Sequence, residues 1–229
     1  MYDLSKVVVT SSPHIKAGDD TRSLMLDVVL ALIPALAVAI FTFGFRALVI
    51  TVATILSCVI FELLYCKAVH KPSTIGDLTA VVTGILIAFN VPVAAPIWMP
   101  VIGGAFAIIV VKMLFGGIGK NFMNPALGAR AFMMASWPAL MTTWPHQNIP
   151  LIGNVKVTDA ISTSTPLSSL KSGALPGETL MDLFFGQHGG VIGETCALAL
   201  LAGGACLLYR KVITINIPAA YILTVAVLT

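Results

Sequence analysis

Charged side chains are scarce in this chain, and their scarcity excludes a soluble globular domain. Only 10% of the 229 residues are Asp, Glu, Lys or Arg, whereas 58% are hydrophobic. A soluble domain of this length needs far more polar surface to stay dissolved. The mean hydropathy of +0.97 agrees with that exclusion and indicates an integral membrane protein.

Cysteine and histidine are also too few and too scattered to build a disulfide framework or a metal site. Cys58, Cys196 and Cys206 fall inside apolar segments, and Cys66 ends another. Their spacing matches neither a disulfide pattern nor a metal-binding pattern. We therefore expect the four thiols to pack as small hydrophobic groups. The histidines lie apart from one another in predicted loops, at positions 14, 70, 146 and 188.

Long runs without any charge define the fold class. These runs cover residues 28–45, 47–61, 78–111, 131–155 and 212–229. About 20 residues of helix cross a bilayer, and the backbone in hydrocarbon must satisfy its own hydrogen bonds. Alternation of polar and apolar residues, which a transmembrane barrel needs, is absent. The sequence predicts an all-α, polytopic transmembrane bundle forming a single domain over 1–229, with helices near 24–43, 46–65, 78–91, 98–115, 125–143, 191–209 and 213–229.

The run 78–111 is too long for one crossing and too short for two crossings with a loop. Pro92, Pro96 and Pro100 interrupt it, and each proline removes a helical donor. Two short or broken helices that meet within the membrane fit best. Such irregular backbone is tolerated only where protein or a water-lined cavity covers it, as in inverted-repeat transporter scaffolds.

Lysine and arginine are distributed unevenly between the two predicted sides. With a cytoplasmic N-terminus, ten fall inside and three, Arg46, Lys156 and Lys171, fall outside. This bias places the polar loop 144–190 outside the cytoplasm. The last helix reaches Thr229 without a polar tail, so we expect the chain to be the first part of a longer protein.

The outside loop contains Asp159, Ser162, Thr163, Ser164 and Thr165, followed by Pro166. This segment resembles the attachment motif for covalent FMN in the Rnf complex and in the related sodium-pumping NADH:quinone reductase. The resemblance implies that Thr165 holds the flavin phosphate as an ester, with Thr163 as the alternative acceptor. Small neighbours would expose the hydroxyl to a modifying enzyme, and Pro166 disfavours a helical conformation at Thr165. A solvated Ser/Thr loop is the simpler alternative.

A glycine-rich turn follows the broken helix. Gly116, Gly117 and Gly119 permit unusual backbone dihedrals, Asn121 and Asn124 add polar groups, and Pro125 suits a first helical turn. Neither the phosphate-loop nor the dinucleotide-binding spacing of glycine is present. The segment 112–126 is similar to a signature of the same flavin-bearing protein, and so is the segment 11–15. A tight turn between helices is the alternative interpretation.

These three segments occur in the same order as in one protein family. The chain resembles the D subunit of the Rnf-type ion-translocating ferredoxin:NAD oxidoreductase, and the equivalent B subunit of the quinone reductase is the second-best match. The resemblance implies a membrane electron-transfer subunit with covalent FMN at Thr165. It also implies a second flavin, riboflavin or quinone-like ligand near the glycine turn. The expected partners are membrane lipid and the other subunits of the complex, including a second covalent-flavin subunit, and not nucleic acid. The expected location is a bacterial or archaeal cytoplasmic membrane.

Four acids border or interrupt the predicted spans. Asp27 and Asp77 lie near predicted helix starts, where the helix dipole favours a carboxylate. Glu62 is expected to reach the membrane interface, and Glu194 lies near the outer start of its helix. Alternatively, the acids belong to a cation entrance, because ionisable groups in bilayers often mark ion routes. A solute transporter or channel without flavin is the rival function, since broken helices are equally typical of that class.

Overall fold

The computed structural model describes residues 20–144, 166–171, 173, 179–186, 189–194 and 196–228. Within these ranges the chain is helical, as the sequence predicts, and its only β pairing is an isolated bridge. The helices are α1 (Thr21–Phe43), α2 (Phe45–Ala68), α3 (Thr79–Phe89), α4 (Trp98–Ala105), α5 (Pro125–Ser136), α6 (Pro138–Met141), α7 (Pro166–Lys171), α8 (Leu180–Phe185), α9 (Ala197–Tyr209) and α10 (Asn216–Leu228).

Helices α1 and α2 are long and apolar enough to cross a membrane. The carboxylate of Asp20 accepts a hydrogen bond from the Thr21 amide at 2.8 Å and caps α1. Gly44 alone separates the two helices, at a φ of 76° that suits glycine. Four further helical stretches are apolar but shorter, covering residues 79–89, 98–113, 197–209 and 216–228.

The predicted break within 78–111 is confirmed. Helix α3 ends at Phe89 and α4 begins at Trp98, so residues 90–97 are non-helical. After Ala105 the α4 helix continues as a π-helical stretch, Phe106–Met113. Rare π-helical geometry changes the direction in which successive side chains project, and it is frequent at functional sites.

Polar groups in the break are satisfied by two distant parts of the chain. The guanidinium of Arg46 donates to the carbonyls of Val93 and Ala95, at 2.9 and 3.2 Å. The segment 189–194 pairs with the break through a bridge between Pro92 and Val191. The irregular backbone of the break is therefore covered by protein, as it must be wherever such backbone lies within a bilayer.

Two predicted helices are shorter than expected. The helix predicted over 125–143 is interrupted at Trp137, because the residue before Pro138 is disfavoured in the α region. The helix predicted over 191–209 begins only at Ala197. Gly193 consequently makes no helix–helix contact but lies against the Phe89 side chain, where an added Cβ would come within 2.4 Å.

Close backbone approach holds the main helices together. A Cβ on Gly84 would lie 2.7 Å from the Ile55 Cα, which fixes α3 against α2. A Cβ on Gly203 would lie 2.2 Å from the Ala31 carbonyl oxygen, which fixes α9 against α1. Small residues allow this packing where no hydrophobic force acts between helices.

Candidate functional site

The predicted flavin-attachment residues lie outside the described residues: Asp159, Ser162, Thr163, Ser164 and Thr165. The described chain resumes at Pro166, the first residue of α7. Proline suits this first helical position because the missing amide would have no partner in the helix.

The glycine turn has the unusual dihedrals that the sequence predicts. The φ angles of Gly116, Gly117 and Gly119 are 107°, 95° and 75°, values that residues with a side chain rarely adopt. The Oδ1 of Asn124 accepts from the Ala126 and Leu127 amides, at 2.9 and 3.4 Å, and caps α5. The turn therefore forms a tight connection between the π-helical stretch and α5.

A cavity of about 170 Å³, lined by both apolar and polar side chains, lies against this turn. Of the predicted site residues, Gly119, Asn121 and Asn124 line it, whereas Gly116 and Gly117 are not part of its wall. Thr79 and Lys112 also line the cavity. Pockets that enclose a drug-sized ligand usually measure about 300–1,000 Å³. The cavity therefore fits several water molecules or the edge of a ring, and does not enclose a whole flavin.

An ion pair that sequence reasoning missed lies beside this cavity. The Lys112 Nζ is 2.6 Å from the Glu62 Oε2, and the two side chains are 4% and 0% exposed. The same ammonium donates to the Thr79 Oγ1 at 2.8 Å, and the Thr74 hydroxyl donates to the other Glu62 oxygen. These four residues are called the Glu62–Lys112 network below.

The expectation that Glu62 reaches the interface is wrong, because its side chain is fully buried against Lys112. Desolvation of two charges is costly, and only a close, hydrogen-bonded geometry such as this one compensates for it. The sequence held one usable signal: Glu62 is the only carboxylate within the apolar α2 helix. An intramembrane carboxylate requires a partner, but its separation of 50 residues from Lys112 hid which partner it was.

The expectation that Asp27 lies near the start of a helix is wrong, and the residue instead forms an ion pair. It lies in the second turn of α1, and its two oxygens accept from the Arg210 guanidinium at 2.6 and 3.1 Å. This bidentate pair ties the start of α1 to the end of α9.

Asp77 lies in a short 3₁₀ turn, Ile75–Asp77, two residues before α3, so its predicted place near a helix start is confirmed.

Glu194 precedes its helix and lies 3.6 Å from Arg130, which belongs to α5. The Arg130 guanidinium also donates to the Asn90 side chain at 2.6 Å, next to the break. Arg130 is one of the ten cations that the charge distribution predicts on the cytoplasmic side, whereas Glu194 is predicted near the outer start of its helix. A contact of 3.6 Å excludes opposite sides of the membrane for the two, so this part of the prediction is wrong. Arg130 belongs to helix α5 and not to a loop.

The four cysteines lie in or directly beside apolar helices, as predicted for small hydrophobic groups. Cys58, Cys66 and Cys196 are free and buried, whereas Cys206 is free but exposed. Among the described residues, no three His, Cys, Asp or Glu side chains are grouped as a metal site would need.

These features define a helical membrane protein with discontinuous helices, a covered break and a buried charge network. Comparison with known proteins gives the family. The family model described as "NQR2, RnfD, RnfE family" matches residues 8–229. The chain belongs to this family.

Curated relatives agree with the family assignment. The D subunit of the Na⁺-translocating ferredoxin:NAD⁺ oxidoreductase complex of Acetobacterium woodii is 48% identical over 226 residues, or 96% of this chain and 68% of the relative. The D subunit of the proton-translocating complex of Clostridium ljungdahlii is 36% identical over 230 residues, with the same shares. The D subunit of an ion-translocating oxidoreductase complex of Rhodobacter capsulatus is 35% identical over 244 residues, covering 96% and 68%. These relatives are subunits of redox-driven ion translocases.

Proposed function

We propose that this chain is the D subunit of a membrane complex that couples electron transfer between ferredoxin and NAD to Na⁺ or H⁺ transport. The observation that carries the proposal is the family match over residues 8–229. The Acetobacterium woodii relative, at 48% identity, is named as such a subunit. The chain functions as part of the complex and is not catalytic alone.

The cofactor proposal is FMN, esterified through its phosphate to the Thr165 Oγ1. Its support is the order of residues in the sequence: an acidic residue, Asp159, precedes a run of small hydroxyl residues that ends at Thr165 and Pro166. The flavin supplies one- and two-electron chemistry, while the protein positions the ring and controls its surroundings. A second covalent-flavin subunit is the proposed electron partner.

The size of the cavity near the glycine turn limits how much of the proposed second ligand it can hold. A space of about 170 Å³ admits one edge of a flavin or quinone ring, which Asn121 and Lys112 would contact. The remainder of such a ring would need a neighbouring subunit or a wider opening. No step of electron transfer is assigned to this cavity.

The proposed orientation places the N-terminus in the cytoplasm and the loop 144–190 outside. Met25 of α1 lines the same cavity as Lys112, which pairs with Glu62 near the end of α2. Arg210, at the end of α9, pairs with Asp27. The start of α1 and the ends of α2 and α9 therefore share one end of the bundle, and cations gather there, at positions 22, 67, 71, 210 and 211. By the positive-inside rule, this cluster of cations supports assigning that end of the bundle to the cytoplasm.

Flavin fluorescence in a denaturing gel tests the cofactor proposal. The chain is produced in a host that contains the flavin transferase, purified and viewed under ultraviolet light. The wild-type band should fluoresce, Thr165→Ala should not, and the matched control Thr163→Ala should retain its fluorescence. A dark wild-type band would favour the rival function, a transporter that uses the discontinuous helices α3 and α4. Loss in Thr163→Ala alone would move the attachment site to Thr163.

A further inference from the structure

Helix α3 ends beside a polar cluster to which three parts of the chain contribute. The Arg130 Nη1 donates to the Asn90 Oδ1 at 2.6 Å and lies 3.6 Å from the Glu194 Oε1. Asn90 follows the last residue of α3, and its Nδ2 donates to the Leu86 carbonyl at 2.7 Å, so its own helix fixes the position of its amide oxygen. These three residues, Asn90, Arg130 and Glu194, are called the Arg130 cluster below.

The backbone that precedes α9 places Glu194 in this cluster. The Ile192 amide donates to the Val91 carbonyl at 3.2 Å, and the Gly193 amide donates to the Phe89 carbonyl at 3.0 Å. Gly193 also packs directly on the Phe89 side chain, where an added Cβ would come within 2.4 Å. Main-chain contacts with the end of α3 therefore set the position of this acidic residue.

The two charged groups of the Arg130 cluster have unused hydrogen-bonding capacity. A guanidinium offers five N–H donors, and within the described part of the chain only the Arg130 Nη1 has an acceptor at hydrogen-bond distance. A separation of 3.6 Å exceeds that distance, so neither Glu194 oxygen receives a hydrogen bond from a described residue. In the Glu62–Lys112 network, by contrast, the ammonium and the carboxylate lie 2.6 Å apart. The Arg130 and Glu194 side chains are 37% and 56% exposed, so a ligand can reach both.

The opposite charges of Arg130 and Glu194 restrict what that ligand is. For a cation or an anion, attraction to one of the two charges is offset by repulsion from the other. A neutral group that both accepts and donates hydrogen bonds satisfies both side chains, and hydrogen bonds to charged groups are the stronger kind. An imide edge, in which an N–H lies between two carbonyls, has this arrangement. The ring of a flavin ends in such an edge, whereas a quinone offers carbonyls only and leaves the carboxylate without a donor.

We propose that Arg130 and Glu194 bind the imide edge of a flavin's isoalloxazine ring. The guanidinium donates to a ring carbonyl, the carboxylate accepts from the ring N–H, and Asn90 holds the guanidinium in place. The inference rests on the proposed function, in which the chain carries flavin. The covalent flavin and the second flavin proposed for this chain have the same edge, so the site fits either, and the experiment below distinguishes them.

The two charges should shift the reduction potential of the bound ring in opposite directions. A ring that has gained two electrons and one proton carries a negative charge, which Arg130 stabilises and Glu194 destabilises. Arg130→Gln should therefore lower the potential by about 30 mV, a tenfold change in the two-electron equilibrium, and Glu194→Gln should raise it by a similar amount. Lys67→Gln is the matched control, because it removes one positive charge from an exposed position at the end of α2.

Direct contact with the ring is tested by infrared difference spectra of the flavin, recorded during redox titration of the purified complex. A hydrogen bond lowers the stretching frequency of a ring carbonyl. Arg130→Lys keeps the charge but lacks the planar fork, so it should move one carbonyl band to higher frequency with a smaller change in potential. A residue that only supports the fold would leave the carbonyl bands in place.

The source of the ring is distinguished by repeating these measurements in a Thr165→Ala background, which removes the proposed covalent flavin. Loss of the effects in this background assigns the bound ring to the covalent flavin. Persistence of the effects assigns it to the second flavin. Both outcomes support Arg130 and Glu194 as the binding residues.

Opposite potential shifts in Arg130→Gln and Glu194→Gln, together with a moved carbonyl band in Arg130→Lys, would support the site. Shifts in the same direction, or carbonyl bands that stay in place in every Arg130 variant, would overturn it and leave the proposed function standing. If Arg130→Gln fails to assemble, Arg130→Lys and Glu194→Gln test the site by the same criteria. A wild-type complex with no flavin in this chain would instead refute the proposed cofactor, and the site with it.

Discussion

The Arg210 guanidinium holds both carboxylate oxygens of Asp27, at 2.6 and 3.1 Å, across 183 residues of sequence. Asp27 is nearly buried, with 8% of its side chain exposed, whereas 52% of Arg210 is exposed. The pair joins the first helix of the chain to α9, and it lies at the end of the bundle where the basic residues gather. Its bidentate geometry makes it stronger than an ordinary surface ion pair.

Arg210→Ala should lower the free energy of unfolding by about 1–3 kcal/mol, because it leaves a nearly buried carboxylate without its charged partner. The double variant Asp27→Asn/Arg210→Gln should recover most of this loss. Thermal unfolding in detergent measures both effects. Arg22→Ala, on the exposed face of α1, is the control and should change little. Equal loss in Arg210→Ala and Arg22→Ala would contradict the assigned role of the pair.

Adjacent glycines in α9 give a matched pair of substitutions. Gly203→Ala should destabilise the protein by about 1–3 kcal/mol, because its Cβ would lie 2.2 Å from the Ala31 carbonyl oxygen. Gly204→Ala meets nothing within 4 Å and should be neutral or stabilising by up to about 1 kcal/mol, since alanine favours helix. The prediction is tested by the midpoint temperatures of thermal unfolding of the two variants, measured in the same detergent. A midpoint for Gly203→Ala at or above the wild-type value would show that α1 and α9 are not in this contact.

Arg46 stabilises the break between α3 and α4. Arg46→Ala leaves the Val93 and Ala95 carbonyls without these donors and should cost about 1.5–3 kcal/mol. Arg46→Lys should recover only part of this, because an ammonium does not reproduce the planar fork of a guanidinium. Thiol labelling of an introduced Ala94→Cys should become faster in the Arg46→Ala background. Unchanged labelling and stability would mean that the break is held by other contacts.

Helix α8 should be sensitive to acid. Hydrogen bonds from the Thr179 hydroxyl and amide lower the pKa of the Asp182 carboxyl. A folded-state pKa below the unfolded value means that this carboxylate stabilises the helix above the unfolded pKa. The contribution is lost as pH falls from about 4 through the lowered folded-state pKa. Amide hydrogen exchange in 180–185 should therefore accelerate on acidification, beyond the intrinsic pH effect. Asp182→Asn should remove this extra acceleration, and persistence of the effect in that variant would contradict it.

Local features of this fold could be predicted from the sequence, and long-range polar pairs could not. Pro92, Pro96 and Pro100 each lack a backbone amide donor, so the break in the helix after Phe89 could be predicted from their positions. Clustered glycines implied the positive φ angles of the turn before α5. The partners Glu62 and Lys112, however, lie 50 residues apart at the ends of separate charge-free runs. Their charges suggested interfacial positions, and only helix packing brings them together.

The contact between Arg130 and Glu194 was hidden for a similar reason. A count of charges assumes that every cation near the end of a span belongs to a loop. Arg130 lies within α5 and contacts both Asn90 and Glu194, and Glu194 lies in a segment that folds back against the break. Re-entrant backbone of this kind leaves no periodicity to detect. The flavin loop remains a prediction from sequence order.

The most direct test of the central claim is the mass of one peptide. Cleavage after Lys156 and Lys171 releases the segment 157–171, which contains Thr165. The chain is purified in the dark from a host with the flavin transferase, digested with trypsin and examined by tandem mass spectrometry. The account predicts that this peptide is heavier by FMN minus water, with fragment ions that place the addition on Thr165. An unmodified 157–171 peptide from such a host would contradict it.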